Sequence, residues 1–205
     1  MNWVLASASP RRKELLAELL DAFEILLSQG EEIVEGNPTP EALVKSLAKQ
    51  KATEVAMRKE CAGKAVIGSD TVVALDGKIL GKPKNEADAT SMLKSLSGRC
   101  HDVYTGVCII YPTASGVNSI VDAACTKVYF LPLTDEQIAA YVKTGSPMDK
   151  AGAYGIQDGG LVSKIKGSYS NVVGLPIELC TKMINKVNSG KKAFNAYLPL
   201  SLLEK

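Results

Sequence analysis

The sequence predicts a mixed α/β fold, a twisted sheet flanked by helices, and three features carry that expectation. Leu15, Leu16, Leu19 and Leu20 recur at helical spacing. A β run from Thr71 to Leu75 and a returning run from Lys78 to Gly81 are joined by Asp76-Gly77, the dipeptide of a two-residue hairpin. Two long β-rich segments, Val103 to Tyr111 and Ala123 to Leu131, are separated only by a Pro/Gly/Ser turn, Pro112 to Ser119. Strands so placed outnumber those of a simple βαβ alternation, so the sheet is expected to be mixed.

In chain order, Trp3 to Leu5 is a short apolar strand that runs into Ala6-Ser7-Ala8-Ser9-Pro10-Arg11-Arg12-Lys13 and then the leucine-rich helix. Ser9 suits the N-cap and Pro10 the first helical position. A strand is expected around Phe23 to Leu27, then a helix from Pro40 to about Arg58 with Leu43, Leu47 and Val55 inward. Ala65 to Ile67 and Thr71 to Leu75 are strand, and a helix follows near Ala87 to Leu96. Thr134-Asp135-Glu136-Gln137 opens a further helix, to about Lys143, with a capping box. The glycine-dense stretches Ala151 to Gly160 and Gly167 to Gly174 are expected as turns, and Pro176 to Val187 as a last helix. Ala193 to Lys205 is an apolar tail that docks or frays.

Composition excludes several function classes. With 205 residues, 46% of them hydrophobic, the chain can bury one sizeable core, and residues 1–205 are expected to form a single domain. No apolar run approaches the roughly 18 residues of a membrane helix, and no basic segment precedes the first strand, so a cytoplasmic protein with no membrane partner is expected. A net charge of +2 is too small for generic nucleic-acid binding. Five scattered cysteines without a C-x-x-C pair indicate neither a disulfide framework nor a zinc site. His101, the only histidine, is expected to be structural, which leaves acid–base work to carboxylates.

The segment from Ala6 to Lys13 has the layout of a polyphosphate cradle. Cations in the first turn of a helix oppose its macrodipole by about 0.3–1 kcal/mol each, a conflict that an anion held between N–H groups and guanidinium forks relieves. Asp70 stands between apolar runs and needs a cation, a metal or strong donors beside it. If Asp76-Gly77 is the turn, Lys82 faces Thr71 diagonally from Asp70 and is the candidate partner. Glu31-Glu32 could serve a divalent ion, although an exposed acidic pair is as a rule simply solvated. Lys51 by itself is an ordinary helix-surface lysine. In Asp149-Lys150-Ala151-Gly152-Ala153-Tyr154-Gly155-Ile156-Gln157 small residues leave room for a flat ligand, or pack as a turn beneath the sheet. Gln157 offers one donor and one acceptor that suit a uracil or thymine edge, and after an amide flip cytosine as well.

Five blocks, Ser7 to Arg12, Gly68 to Thr71, Gly81-Lys82-Pro83, Asp149 to Gln157 and Val172 to Pro176, resemble in order and spacing the Maf family of nucleoside triphosphate pyrophosphatases, collinear from Val4 to about Lys186. The resemblance implies two lobes around a cleft, a fold similar to that of inosine triphosphate pyrophosphatases, and hydrolysis of a nucleoside triphosphate to monophosphate and pyrophosphate. It implies Asp70 as acceptor of the proton from the attacking water, with Glu32 and Lys82 beside it in the catalytic set. Asp70 and Glu32 would contact a divalent cation, Mg²⁺ or Mn²⁺. Ser7, Arg11, Arg12, Lys51 and Lys82 match phosphate-holding positions. Arg11, Thr71 and Gln157 match the combination of members similar to dTTP/UTP pyrophosphatases, which implies dTTP, UTP and their modified forms as substrates in nucleotide-pool house-cleaning. A homodimer is also implied. Ala8 and Ser69 stand where many members carry glycine and alanine, and neither replacement removes a functional group. Two other readings stay open: a pyrophosphatase acting on a modified purine nucleotide, and a nucleotide-binding regulator of cell division with negligible turnover.

Overall fold

The computed structural model describes the backbone of residues 1–197 and the side chains of residues 1–189. Trp3–Leu5 (β1) is buried throughout and leads into Pro10–Ala17 (α1), where the Ser9 side chain accepts from the Arg12 N–H and Pro10 takes the first turn. Glu24–Ile25 (β2) is shorter than the expected Phe23 to Leu27 strand. Pro40–Ala56 (α2) is capped by Thr39 and buries Leu43, Val44, Leu47, Ala48, Ala52 and Val55. Ala65–Leu75 (β3) is one continuous strand, not two runs around Gly68-Ser69-Asp70.

Lys78–Leu80 (β4) returns antiparallel to β3 in the expected register, with Val73 opposite Leu80, Ala74 opposite Ile79 and Leu75 opposite Lys78. Asp76 and Gly77 have φ of +50° and +77°, the signs a two-residue type I′ turn demands. Because β4 stops at Leu80, Lys82 lies beyond the strand and is exposed, so the expected diagonal with Asp70 does not form.

Glu86–Leu96 (α3) precedes Cys100–Thr113 (β5) and Gly116–Phe130 (β6). These two strands pair to the hairpin tip, Thr113 opposite Gly116, so most of the loop expected at Pro112 to Ser119 is ladder. Asp135–Lys143 (α4) opens with the expected Thr134/Gln137 capping box. Val162–Lys166 (β7) and Tyr169–Val173 (α5) occupy ground assigned to no element or to turns. Ile177–Tyr197 (α6) runs past the expected end at Val187; of the apolar tail, residues 198–205 lie outside the described residues.

The seven strands form one mixed sheet in the order β2-β1-β3-β5-β6-β7, with β4 on β3. β1 is parallel to β2 and β3, and all other pairs are antiparallel. At one end of β3 and β5, Ala65, Ile67, Val107 and Ile109 pack with Leu16, Leu175 and Ile184; at the other, Val73, Leu75 and Val103 pack with Leu93, Phe130 and Ile138. Between these apolar regions lie Ser69, Asp70 and Thr105, all buried, and half-buried Thr71, a polar belt across the two longest-shared strands. The buried ring of His101 meets Phe130 and Tyr154 edge-on, the structural role expected of it. Among the described residues no helix is long and apolar enough to cross a membrane.

Helix α2 lies directly on this belt because two glycines admit it. A Cβ on Gly68 would collide with the Ala48 carbonyl, and one on Gly106 with the Val44 carbonyl. Backbone atoms cannot yield as a flexible side chain does, so any larger residue at either place would lift the helix.

Candidate active site

The belt carries two side-chain clusters, on opposite faces of β3, because neighbouring strand residues alternate. On one face the cradle closes. Ser7 Oγ accepts from the Ser9 N–H at 3.2 Å and from Arg12 Nη1 at 3.4 Å. Arg12 Nε donates to the Gly174 carbonyl at 2.8 Å and Nη2 to Thr71 Oγ1 at 3.1 Å. Ser69 Oγ donates to the same Gly174 carbonyl at 3.1 Å. Burial pulls the Arg12 pKa below its ordinary value, and the charge of Asp70 opposes the shift. Gly174 has φ of +125°, and a Cβ there would come within 3.4 Å of Arg12 Nε and 3.5 Å of Thr71 Oγ1. The position therefore needs glycine for conformation and for room.

Thr71 Oγ1 lies 3.0 Å from Thr105 Oγ1, which donates to the Asn171 carbonyl at 2.9 Å. That spends the only Thr105 proton, so Thr71 donates to Thr105 and accepts from Arg12. Asn171 in turn donates from Nδ2 to the Val103 carbonyl at 2.9 Å and to Thr126 Oγ1 at 3.0 Å. A chain of hydrogen bonds thus runs from the cradle through three strands.

On the other face Asp70 meets α2. Lys51 Nζ donates to Asp70 Oδ1 at 2.5 Å and reaches Glu32 Oε1 at 2.8 Å. The partner that burial of Asp70 requires is thus Lys51 and not Lys82, and Lys51 is no ordinary surface lysine. The lysine and aspartate side chains are 18% and 13% exposed, while that of Glu32 is 51% exposed, so the cluster opens to solvent on the glutamate side.

Glu32 sits on a loop that α2 holds by its main chain. Gln50 grips Ile33 at both polar groups, accepting from its N–H at 2.9 Å and donating to its carbonyl at 2.8 Å. Glu54 accepts from the Gln29 N–H at 3.0 Å, and Arg58 Nη2 donates to the Leu27 carbonyl at 2.7 Å. Gln50 and Glu54 stand one turn apart on α2, and Arg58, just past its end, continues the same every-fourth spacing. That spacing was the only trace of the clamp in the sequence, and no role was expected of these residues.

Arg11 pairs with Asp149 at 3.5 Å, which joins the cradle helix to the segment from Gly145 to Asp158. There the Tyr141 hydroxyl donates to Asp158 Oδ2 at 2.5 Å and accepts from the Gly155 N–H at 3.0 Å. Burial and Asp158 both raise the phenol pKa, so it stays a donor. Gln157 stands exposed on the short turn Ile156–Asp158. Among the described residues, Lys82 and Gln157 contact neither cluster by hydrogen bond or ion pair.

The donor set suits a hard divalent ion of one particular kind. No group of three or more His, Cys, Asp or Glu converges among the described residues, but two carboxylates already share one cation, the Lys51 ammonium. One or two carboxylates plus substrate phosphates and water is how Mg²⁺ is commonly held.

Compared with known proteins, the chain matches the family described as Maf-like protein over residues 2–187. A dTTP/UTP pyrophosphatase of Thermococcus gammatolerans is 50% identical over 182 residues, covering 88% of this chain and 94% of the relative. A dTTP/UTP pyrophosphatase of Geobacter metallireducens is 51% identical over 177 residues, covering 85% and 90%. Among solved structures, a nucleoside-triphosphatase/dITP/XTP pyrophosphatase of Mycobacterium abscessus overlaps 63% of this chain and 73% of its own, at 19% identity and a TM-score of 0.41.

Proposed function

As the chain belongs to the Maf family, we propose that it hydrolyses nucleoside triphosphates, dTTP and UTP foremost and their modified forms with them, to the monophosphate and pyrophosphate. The observation that carries this reading is the placement of Asp70, buried at the centre of the sheet, with Lys51 and Glu32 on one side and the Ser7–Arg12–Thr71 cradle on the other. In-line attack on a phosphorus needs a held water, a held phosphate and compensation of developing charge.

The residues divide that work. Ser7, Arg11 and Arg12 hold the triphosphate at the start of α1, where N–H groups and guanidinium forks favour an anion. Asp70 orients the attacking water and accepts its proton. Lys51 neutralises charge on the phosphate oxygens, and the exposed Lys82 is assigned to the same work on the strength of the family resemblance. Gln157 selects the base, and Thr71, bonded to Arg12, orients the nucleotide through the cradle. Asp70 and Glu32 would hold a Mg²⁺ or Mn²⁺ ion, whose chemistry is to draw charge from phosphate oxygens and activate water.

The test is pyrophosphate release with Mg²⁺ or Mn²⁺ across dTTP, UTP, CTP, ITP, GTP and 7-methyl-GTP. Preference for dTTP and UTP is the expected outcome. Activity confined to a purine overturns the specificity, and nucleotide binding without release from any of them overturns the enzymatic reading in favour of a regulator.

A further inference from the structure

Lys51 Nζ lies within 2.8 Å of one oxygen of Glu32 and 2.5 Å of one oxygen of Asp70, so a single ammonium fills the gap that both acids face. The gap is built around it. α2 is seated on the sheet at Gly68 and Gly106, and the Glu32 loop is pinned to the same helix by Gln50. Lysine and divalent ion want the same place, because both are cations satisfied by the same pair of oxygens, the metal at about 2.1 Å and the ammonium slightly farther out. Asp70 is too buried to lose its cation without a replacement, and Lys51 is too buried to leave without finding another anion. A triphosphate supplies that anion, because the charges of Asp70 and Glu32 both act on Arg12 and the cradle and the acid cluster therefore lie within electrostatic range of each other at β3.

We propose that Lys51 is a resident cation that closes the metal site of the free protein, and that a bound triphosphate draws it off the carboxylates, so that nucleotide binds before the divalent ion. The inference rests on the reading of Asp70 and Glu32 as metal ligands. It makes Lys51 a gate for the ion as well as a contact for phosphate. Reciprocity then requires that whatever Lys51 costs the metal in the free protein is returned when nucleotide binds.

The experiment is titration of the full chain with Mn²⁺, followed by the electron paramagnetic resonance signal of the free ion, with and without a saturating non-hydrolysable dTTP analogue whose own Mn²⁺ binding is measured without protein and subtracted. Wild type is compared with Lys51→Met, Lys51→Gln and the same-helix surface control Lys49→Met, each checked for native circular dichroism. In the absence of nucleotide, both Lys51 variants are expected to bind Mn²⁺ about tenfold or more tighter than wild type, with Lys49→Met unchanged. The enhancement given by the analogue shrinks in the Lys51 variants by a similar factor. Variants that bind Mn²⁺ no tighter than wild type, or a wild type whose Mn²⁺ affinity is indifferent to the analogue, overturn the gate while leaving the metal ligands standing. No uptake of Mn²⁺ by any of the proteins, with or without the analogue, overturns both.

Discussion

Gly106 lies directly opposite Asp70 across β5 and β3, and the space its missing side chain leaves is filled by the main chain of α2 at Val44. The site depends on that absence, because α2 also carries Lys51. Gly106→Ala must push α2 outward and draw Lys51 away from Asp70. Stability should fall by about 1–3 kcal/mol in urea denaturation, and kcat should fall with it. A normal midpoint with normal kcat would show that α2 has room to spare.

Asp70→Asn keeps the shape of the side chain and removes the proposed proton acceptor. Turnover should drop by roughly 10²- to 10⁴-fold while calorimetry still detects nucleotide binding. Unchanged turnover would remove Asp70 from its place as base.

Gln50→Ala frees the Ile33 peptide and with it the adjacent Glu32. The expected result is a higher Mn²⁺ concentration for half-maximal rate, with little change in thermal midpoint. Made in a Glu32→Gln background, the same substitution should add almost nothing, since the two residues act in series. Full additivity would mean that Gln50 works some other way.

Arg12→Lys retains the charge but loses the fork that spans Gly174, Ser7 and Thr71. A fall in kcat/KM of about 10- to 100-fold is expected from the loss of fixed geometry at the phosphates. Activity within a factor of about two would reduce Arg12 to a point charge.

His101 gives the fold an acid-sensitive point. Its Nε2 meets the Tyr154 hydroxyl at 2.8 Å, and burial lowers its pKa from 6.5 to about 4. Unfolded chains therefore take up the proton below about pH 6.5, whereas the folded protein resists until about pH 4. The resulting loss of stability grows through that window, to about 3 kcal/mol at its lower end, and is absent above it. His101→Phe should flatten this limb, so that urea midpoints taken near pH 4.5 and pH 7.5 differ less than in wild type. An equal difference in both proteins would place the acid sensitivity elsewhere.

The hairpin at Asp76-Gly77 was legible to its register, because turn chemistry and strand period are local properties. The same register misled at Lys82, since it extends a strand two residues past its real end at Leu80. What brings Lys51 to Asp70 is the close seating of α2 on Gly68 and Gly106, a tertiary approach that no local pattern announces. Strand β7 is silent in the sequence for a different reason. Ser163, Lys164 and Lys166 are exposed on a sheet edge, where polar side chains discourage pairing with other chains and erase the apolar signature of a strand. In the cradle, by contrast, Ser9 and Pro10 announced the helix start, and the structure places them as their chemistry requires.

The bond from Arg12 to the Gly174 carbonyl joins residues 162 positions apart. During synthesis Arg12 leaves the ribosome early and waits for nearly the whole chain before its guanidinium can be set. A nascent or prematurely terminated protein that lacks Gly174 therefore has every proposed catalytic carboxylate and still no finished cradle. The finished cradle therefore belongs only to a nearly complete chain.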